Sequence, residues 1–149
     1  MREYLLTQST PADIQLLFEN FPYLFHNEIE NRMSMNRHFE EAELFYLLYT
    51  LLLSAQDFSL LNSKIGDVRP YNIFINDEGQ VKIANRFSWP YEKANFYKTV
   101  FEKEVTYLAP EEMVLVAQGI QENTTNKRLS ETFSIGLTLL HSGLLWDPT

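Results

Sequence analysis

Residues able to do chemistry are sparse in this chain, apart from one short stretch. There is no cysteine, which excludes a thiol nucleophile, a thiolate metal site and a disulfide scaffold. The three histidines, His26, His38 and His141, stand far apart with no metal-ligand spacing and read as structural or surface residues. The stretch Ile65-Gly66-Asp67-Val68-Arg69-Pro70-Tyr71-Asn72 gathers an acid, a guanidinium and an amide between a long apolar segment and a hairpin pattern. Asp67 and Asn72 are suited to holding a tight loop through side-chain-to-backbone hydrogen bonds, and Arg69 reads as a surface or loop-bracing guanidinium. No Walker-type loop, dinucleotide fingerprint or basic stripe is present, so nothing points to hydrolase, oxidoreductase or nucleic-acid chemistry.

Composition narrows the classes further. At 149 residues the chain is sized for one domain, which buries roughly two thirds of its unfolded surface. Apolar residues at 45% and charged residues at 21% exclude disordered and low-complexity classes. With 12 basic and 20 acidic residues the net charge is −8, which repels phosphate backbones and anionic lipid. The longest apolar run, 44–53, is about half of a membrane span. No secretory leader is legible, which leaves the Asn123-Thr124-Thr125 sequon without a use. The expectation is a soluble, intracellular protein, cytoplasmic and with no membrane span.

Several elements must position the 65–72 stretch. Thr10-Pro11-Ala12-Asp13 predicts a helix start, with Thr10 as cap and Pro11 at the first helical position. That helix runs to about Glu19 because Pro22 ends it, and 21–36 reads as an irregular connection. Asn36 is a candidate cap for the next helix. Its segment 44–55 is apolar on nearly every side, a pattern that demands cover all round. Residues 72–84 read as a hairpin, with Gly79 at a positive φ in the turn. A loop follows from 85 to about 108, and Ala109-Pro110-Glu111-Glu112 starts a short helix towards 117 or 118. Residues 121–128 are loop, and 129–140 form a final helix.

Four motifs taken together resemble the eukaryotic protein kinase family. Ile65-Gly66-Asp67-Val68-Arg69-Pro70-Tyr71-Asn72 is similar to the catalytic-loop pattern H-R-D-L-K-P-E-N. Val81-Lys82-Ile83-Ala84-Asn85-Arg86-Phe87 is similar to V-K-I-A-D-F-G. Tyr107-Leu108-Ala109-Pro110-Glu111 resembles Y-x-A-P-E, and Ser130-Glu131-Thr132-Phe133-Ser134-Ile135-Gly136 resembles S-D-V-W-S-L-G. They occur in the family's order over about 38–141. The resemblance implies a mainly α (α+β) fold: an incomplete kinase-like C-lobe over 38–149 with a small hairpin between helices, preceded by a hinge-like start over 1–37. It assigns structural roles to Pro70, Ala109, Pro110, Glu111, Glu131 and Gly136. In the family the residue at Glu111 pairs with an arginine, whereas here it is expected to stabilise its helix N-terminus; Glu131 is expected to bond the catalytic-loop backbone.

The departures from that pattern bear on activity. Phosphoryl transfer in the family needs a carboxylate to orient the hydroxyl and Mg²⁺ to neutralise phosphate charge. Asp67, Arg69 and Asn72 stand at catalytic-loop positions, but Asn85 replaces the metal-binding Asp, a loss that matters for a cation preferring anionic oxygen. Ile65-Gly66 replaces His-Arg, and Arg86-Phe87 replaces Phe-Gly. Tyr97, Thr99 and Thr106 could be phosphorylated, without the usual Arg to read them. No glycine-rich loop or strand lysine precedes residue 38. The resemblance therefore implies a truncated pseudokinase with no functional catalytic residues, only vestigial Asp67, Arg69 and Asn72. It implies no cofactor (vestigial nucleotide positions Asn72 and Asn85) and no metal. Such a module acts as a structural or adaptor subunit, with a protein partner or assembly covering apolar helices 44–55 and 135–145, cytoskeletal being one setting. The alternative is a nucleotide-binding or weakly active kinase completed by a small lobe from another chain.

Overall fold

The computed structural model describes residues 19–61, 63, 65, 68–84, 107–118 and 127–148. In chain order these form β1 (Tyr23–Leu24), α1 (Phe25–Ser34), α2 (Glu41–Leu60), a single 3₁₀ turn (Pro70–Asn72), β2 (Ile73–Ile75), β3 (Val81–Ile83), α3 (Pro110–Ala117) and α4 (Lys127–Leu144). The fold is α+β, a mixture of helices and one small antiparallel sheet of order β1-β2-β3. The sheet register pairs Tyr23 with Ile75, and Ile73, Phe74 and Ile75 with Ile83, Lys82 and Val81. Phe25 and Ile29 of α1, Leu47 and Leu51 of α2, Ile65, Val68, Ile73, and Ile135 and Leu145 at α4 form one buried cluster. Ile65 and Val68 of the 65–72 stretch belong to it.

The hairpin at 72–84 and the helix after Ala109 lie where the sequence places them. Gly79 sits at φ +74, the left-handed region in which a Cβ is unfavourable. Asn76 closes the turn: its Oδ1 accepts the Gln80 N–H at 2.9 Å, and its carbonyl accepts the Gly79 N–H at 3.0 Å.

Other expectations need correcting. Residues 21–36 are not an irregular connection but contain β1 and α1. Phe25 and Ile29, four apart, both bury on one helix face, while Glu28 and Arg32, also four apart, pair at 2.7 Å. Only two residues of α1 are buried, so the apolar stripe is too thin to stand out in the sequence. Asn36 does not cap α2; it takes a left-handed turn at φ 51, and α2 begins after Glu40. There Glu43 Oε2 accepts the Glu40 N–H at 2.7 Å, satisfying one orphan donor of the first turn. The same carboxylate takes a two-pronged bond from Arg32, at 2.8 and 2.7 Å, which ties α1 to the start of α2. Arg32 also lies 3.9 Å over the Phe39 ring. The last helix starts at Lys127 rather than after a loop ending at 128, and runs on to Leu144. The expected N-terminal helix lies outside the described residues except for Glu19, which is not helical.

The two long helices bury opposite kinds of face. α2 buries Leu47 and Leu51 but leaves Phe45 and Tyr49 each 61% exposed, with Tyr46, Leu52, Leu53 and Leu60 also exposed. α4 turns Ser130, Glu131, Ser134, Thr138, His141 and Ser142 inward, and leaves Leu129, Phe133, Leu140 and Leu144 exposed. A helix with polar groups inside is stable only if those groups are hydrogen-bonded.

Candidate functional site

The polar interior of α4 is what holds the 65–72 stretch. Glu131 Oε1 accepts the Ile65 backbone N–H at 2.6 Å in a buried bond. Two turns further along, the Thr138 hydroxyl donates to the Val68 carbonyl at 2.8 Å. The segment before α3 is held from the same face: the Ser134 hydroxyl donates to the Tyr107 carbonyl at 2.5 Å, and the Tyr107 phenol meets His141 Nδ1. Ser142 donates back to the Thr138 carbonyl at 2.7 Å. One helix face thus fixes two separate backbone segments by their main-chain polar groups. Buried bonds of this kind leave a costly orphan when either partner is removed.

Arg69 and Asn72 are both buried at the turn that this bonding holds. The Asn72 N–H donates to the Arg69 carbonyl at 2.9 Å, and the Asn72 carbonyl accepts the Ala84 N–H at 2.8 Å. The turn is thereby locked to the end of β3. Pro70 opens the turn, where a missing N–H costs nothing. The Arg69 guanidinium lies 5.9 Å over the Tyr71 ring. Its burial is that of a loop brace rather than of a surface cation.

Four rings run across the same junction. His26 stacks on Tyr71 with centroids 3.8 Å apart. His26 faces His141 edge-on at 6.3 Å, and His141 faces Tyr107 at 6.2 Å. His26 and His141, 115 positions apart in sequence, are therefore neighbours, which their spacing in the sequence could not reveal. Burial pushes the His141 ring below the usual imidazole range, helped by His26 and opposed by Asp147. Burial likewise raises the Tyr71 phenol, with the charges of Glu30 and Asp147 adding to it.

Ala109 is buried ahead of α3, and its carbonyl accepts the Glu112 N–H at 2.9 Å. Glu111 is exposed in the first turn of α3, whereas Glu112 is buried. Gly136 is exposed on α4, and a Cβ there would meet nothing within 4 Å, so no close packing requires glycine. Asp67 and Asn85 lie outside the described residues, as do Gly66, Arg86, Phe87, Tyr97, Thr99 and Thr106. Among the described residues no three His, Asp or Glu side chains come together to hold a metal ion, and no helix is long and apolar enough to cross a membrane.

No family model matches the chain. Over 74 residues it is 36% identical to the MAP kinase kinase MKK1/SSP32 of Saccharomyces cerevisiae. That match takes in 50% of this chain and 13% of the yeast protein, so the chain spans a small part of its relative's length. The similarity points to a kinase-like relation over part of the chain.

Proposed function

We propose that this chain is a kinase-like module that works through protein contacts and not through phosphoryl transfer. The observation that carries the reading is the exposed apolar half of α2, from Phe45 through Tyr49, Leu52 and Leu53 to Leu60. Apolar surface in so continuous a run marks a contact site more often than idle surface. The partial likeness to a MAP kinase kinase supports the kinase-like part of the reading. Asn85, at the place where the family's pattern has its metal-binding Asp, supports the inactive part, because a neutral amide is a weak partner for Mg²⁺. The polar bonds from α4 then serve to keep a stiff framework behind the contact face.

Two measurements test this. Light scattering on the protein drawn gently from its source, with mass spectrometry of what co-elutes, is expected to find it in a stable complex. A monomer of 17.5 kDa would overturn the reading. Melting with millimolar ATP and Mg²⁺ is expected to show no shift, since a ligand that binds only the folded state must raise the melting temperature. A clear shift would favour the nucleotide-binding alternative, completed by a small lobe from another chain.

A further inference from the structure

The apolar stripe of α2 has a charge pattern that narrows what can cover it. Glu41, Phe45, Tyr49, Leu52, Gln56 and Leu60 recur at the three- and four-residue steps that align side chains along one helix face, and all six are exposed. Glu41 stands at the start of this face and the exposed Asp57 flanks its far end. These two acids are sixteen positions apart, about 24 Å along the axis at helical rise. No lysine or arginine occurs anywhere in the twenty residues of α2. The stripe continues into a groove of about 400 Å³ between α2 and α4, lined by Leu52, Ala55, Leu60, Thr132 and Ile135, with Arg128 on its α4 side.

We propose that this face takes a partner helix from another protein, apolar along one side and carrying Lys or Arg near both ends of a contact of about four turns. This rests on the contact-module reading above and adds the chemistry of the partner. Charge complementarity selects the occupant. A second α2 would set acid against acid whether it ran parallel or antiparallel. The exposed stripe of a second copy's α4 offers Arg128 near one end and no lysine or arginine from 129 to 148, so it can answer only one of the two acids. Anionic lipid is repelled by both acids. Such pairs at an interface rim act mainly on orientation and choice of partner.

The test uses the full chain and two synthetic helical peptides with one leucine-rich face in common, flanked at both ends by Lys in one and by Glu in the other. Fluorescence anisotropy is expected to show the Lys-flanked peptide binding about tenfold tighter, with the gap shrinking as salt rises. In the double variant Glu41→Lys, Asp57→Lys the preference is expected to reverse, a change on exposed residues that leaves the core intact. Leu53→Asp should abolish binding of both peptides, with the melting curve showing that the chain still folds. Equal binding of the two peptides, or no reversal in the double variant, overturns the charged-helix inference while leaving contact function standing. Binding of neither peptide overturns it as well. So does a dimer of this chain in sedimentation that Leu53→Asp disperses, or binding to phosphatidylserine vesicles. The contact reading itself fails only if the native protein is also a lone monomer.

Discussion

Glu131 on α4 and Ile65 at the entry to the turn are joined by a 2.6 Å bond across 66 positions of sequence, with both residues buried. A carboxylate accepting a backbone N–H is a charge-assisted bond, stronger than its neutral counterpart. It fixes where the chain enters the 65–72 stretch, as Thr138 fixes where it passes Val68.

Glu131→Ala should therefore destabilise the protein by about 2–3 kcal/mol, because the buried Ile65 N–H loses its acceptor. Glu131→Gln keeps an acceptor oxygen and should cost about half as much. Urea unfolding gives the energies. Hydrogen exchange at the Ile65 amide checks the cause, since that amide should exchange faster in Ala than in Gln; equal rates in both would refute this account.

Thr138→Val tests the second anchor. The swap keeps the branched shape but removes the hydroxyl, leaving the buried Val68 carbonyl short of a donor. A loss of about 1–2 kcal/mol is expected in the same unfolding assay. The effect should add to that of Glu131→Ala only in part, because the two bonds hold one short segment.

The sequence made some of this legible and concealed the rest for physical reasons. The hairpin was readable because Ile73, Ile75, Val81 and Ile83 alternate around a turn with glycine at its positive-φ position. Likewise α3 announces itself by Ala109-Pro110-Glu111-Glu112, with proline where the helix begins. A backbone bond from Glu131 could be anticipated from motif resemblance alone. The first helix was hidden because its stability comes from tertiary partners: two buried residues, and an Arg32 that reaches forward to Glu43. The inverted burial of α4 was also hidden. Its Ser130, Ser134, Thr138 and Ser142 repeat every four residues and by periodicity suggest a wet face, yet they are the inner one. Only the long-range backbone groups they meet explain it. The meeting of His26 with His141 belongs to the same category.

Arg32 and Glu43 give a prediction in acid. Arg32's guanidinium holds the Glu43 carboxyl below the usual carboxylate range, with the Glu40 N–H helping. A carboxyl so depressed contributes stability that is fully present above its unfolded value and is lost as pH falls through its folded value. Arg32→Lys cannot make the two-pronged bond and should cost about 1 kcal/mol at neutral pH, a modest figure because the Glu43 side chain is 39% exposed. The gap between wild type and variant should close as pH falls through the acid range. Unfolding measured from pH 7 to pH 3 checks this; a gap that stays constant would show that packing of Arg32 on Phe39, and not the ion pair, carries the effect.

His141 gives the opposite kind of test, at milder pH. Its ring is buried, meets the Tyr107 phenol through Nδ1 and lies beside His26, and burial lowers its affinity for a proton below the ordinary 6.5. The unfolded chain therefore binds the proton more readily than the folded one just below pH 6.5. In that window stability must rise with pH. The contribution is complete above 6.5, falls as pH drops below it, and levels off once the folded ring is itself protonated. Each unit of depression corresponds to about 1.4 kcal/mol. Melting is expected to occur at lower temperature at pH 5.5 than at pH 7.5, and the difference should shrink in His141→Leu, which cannot titrate. Ring resonances of His141 followed by NMR should show a midpoint below 6.5. A midpoint at or above that value would mean that Asp147, whose charge favours the protonated ring, outweighs burial at this junction.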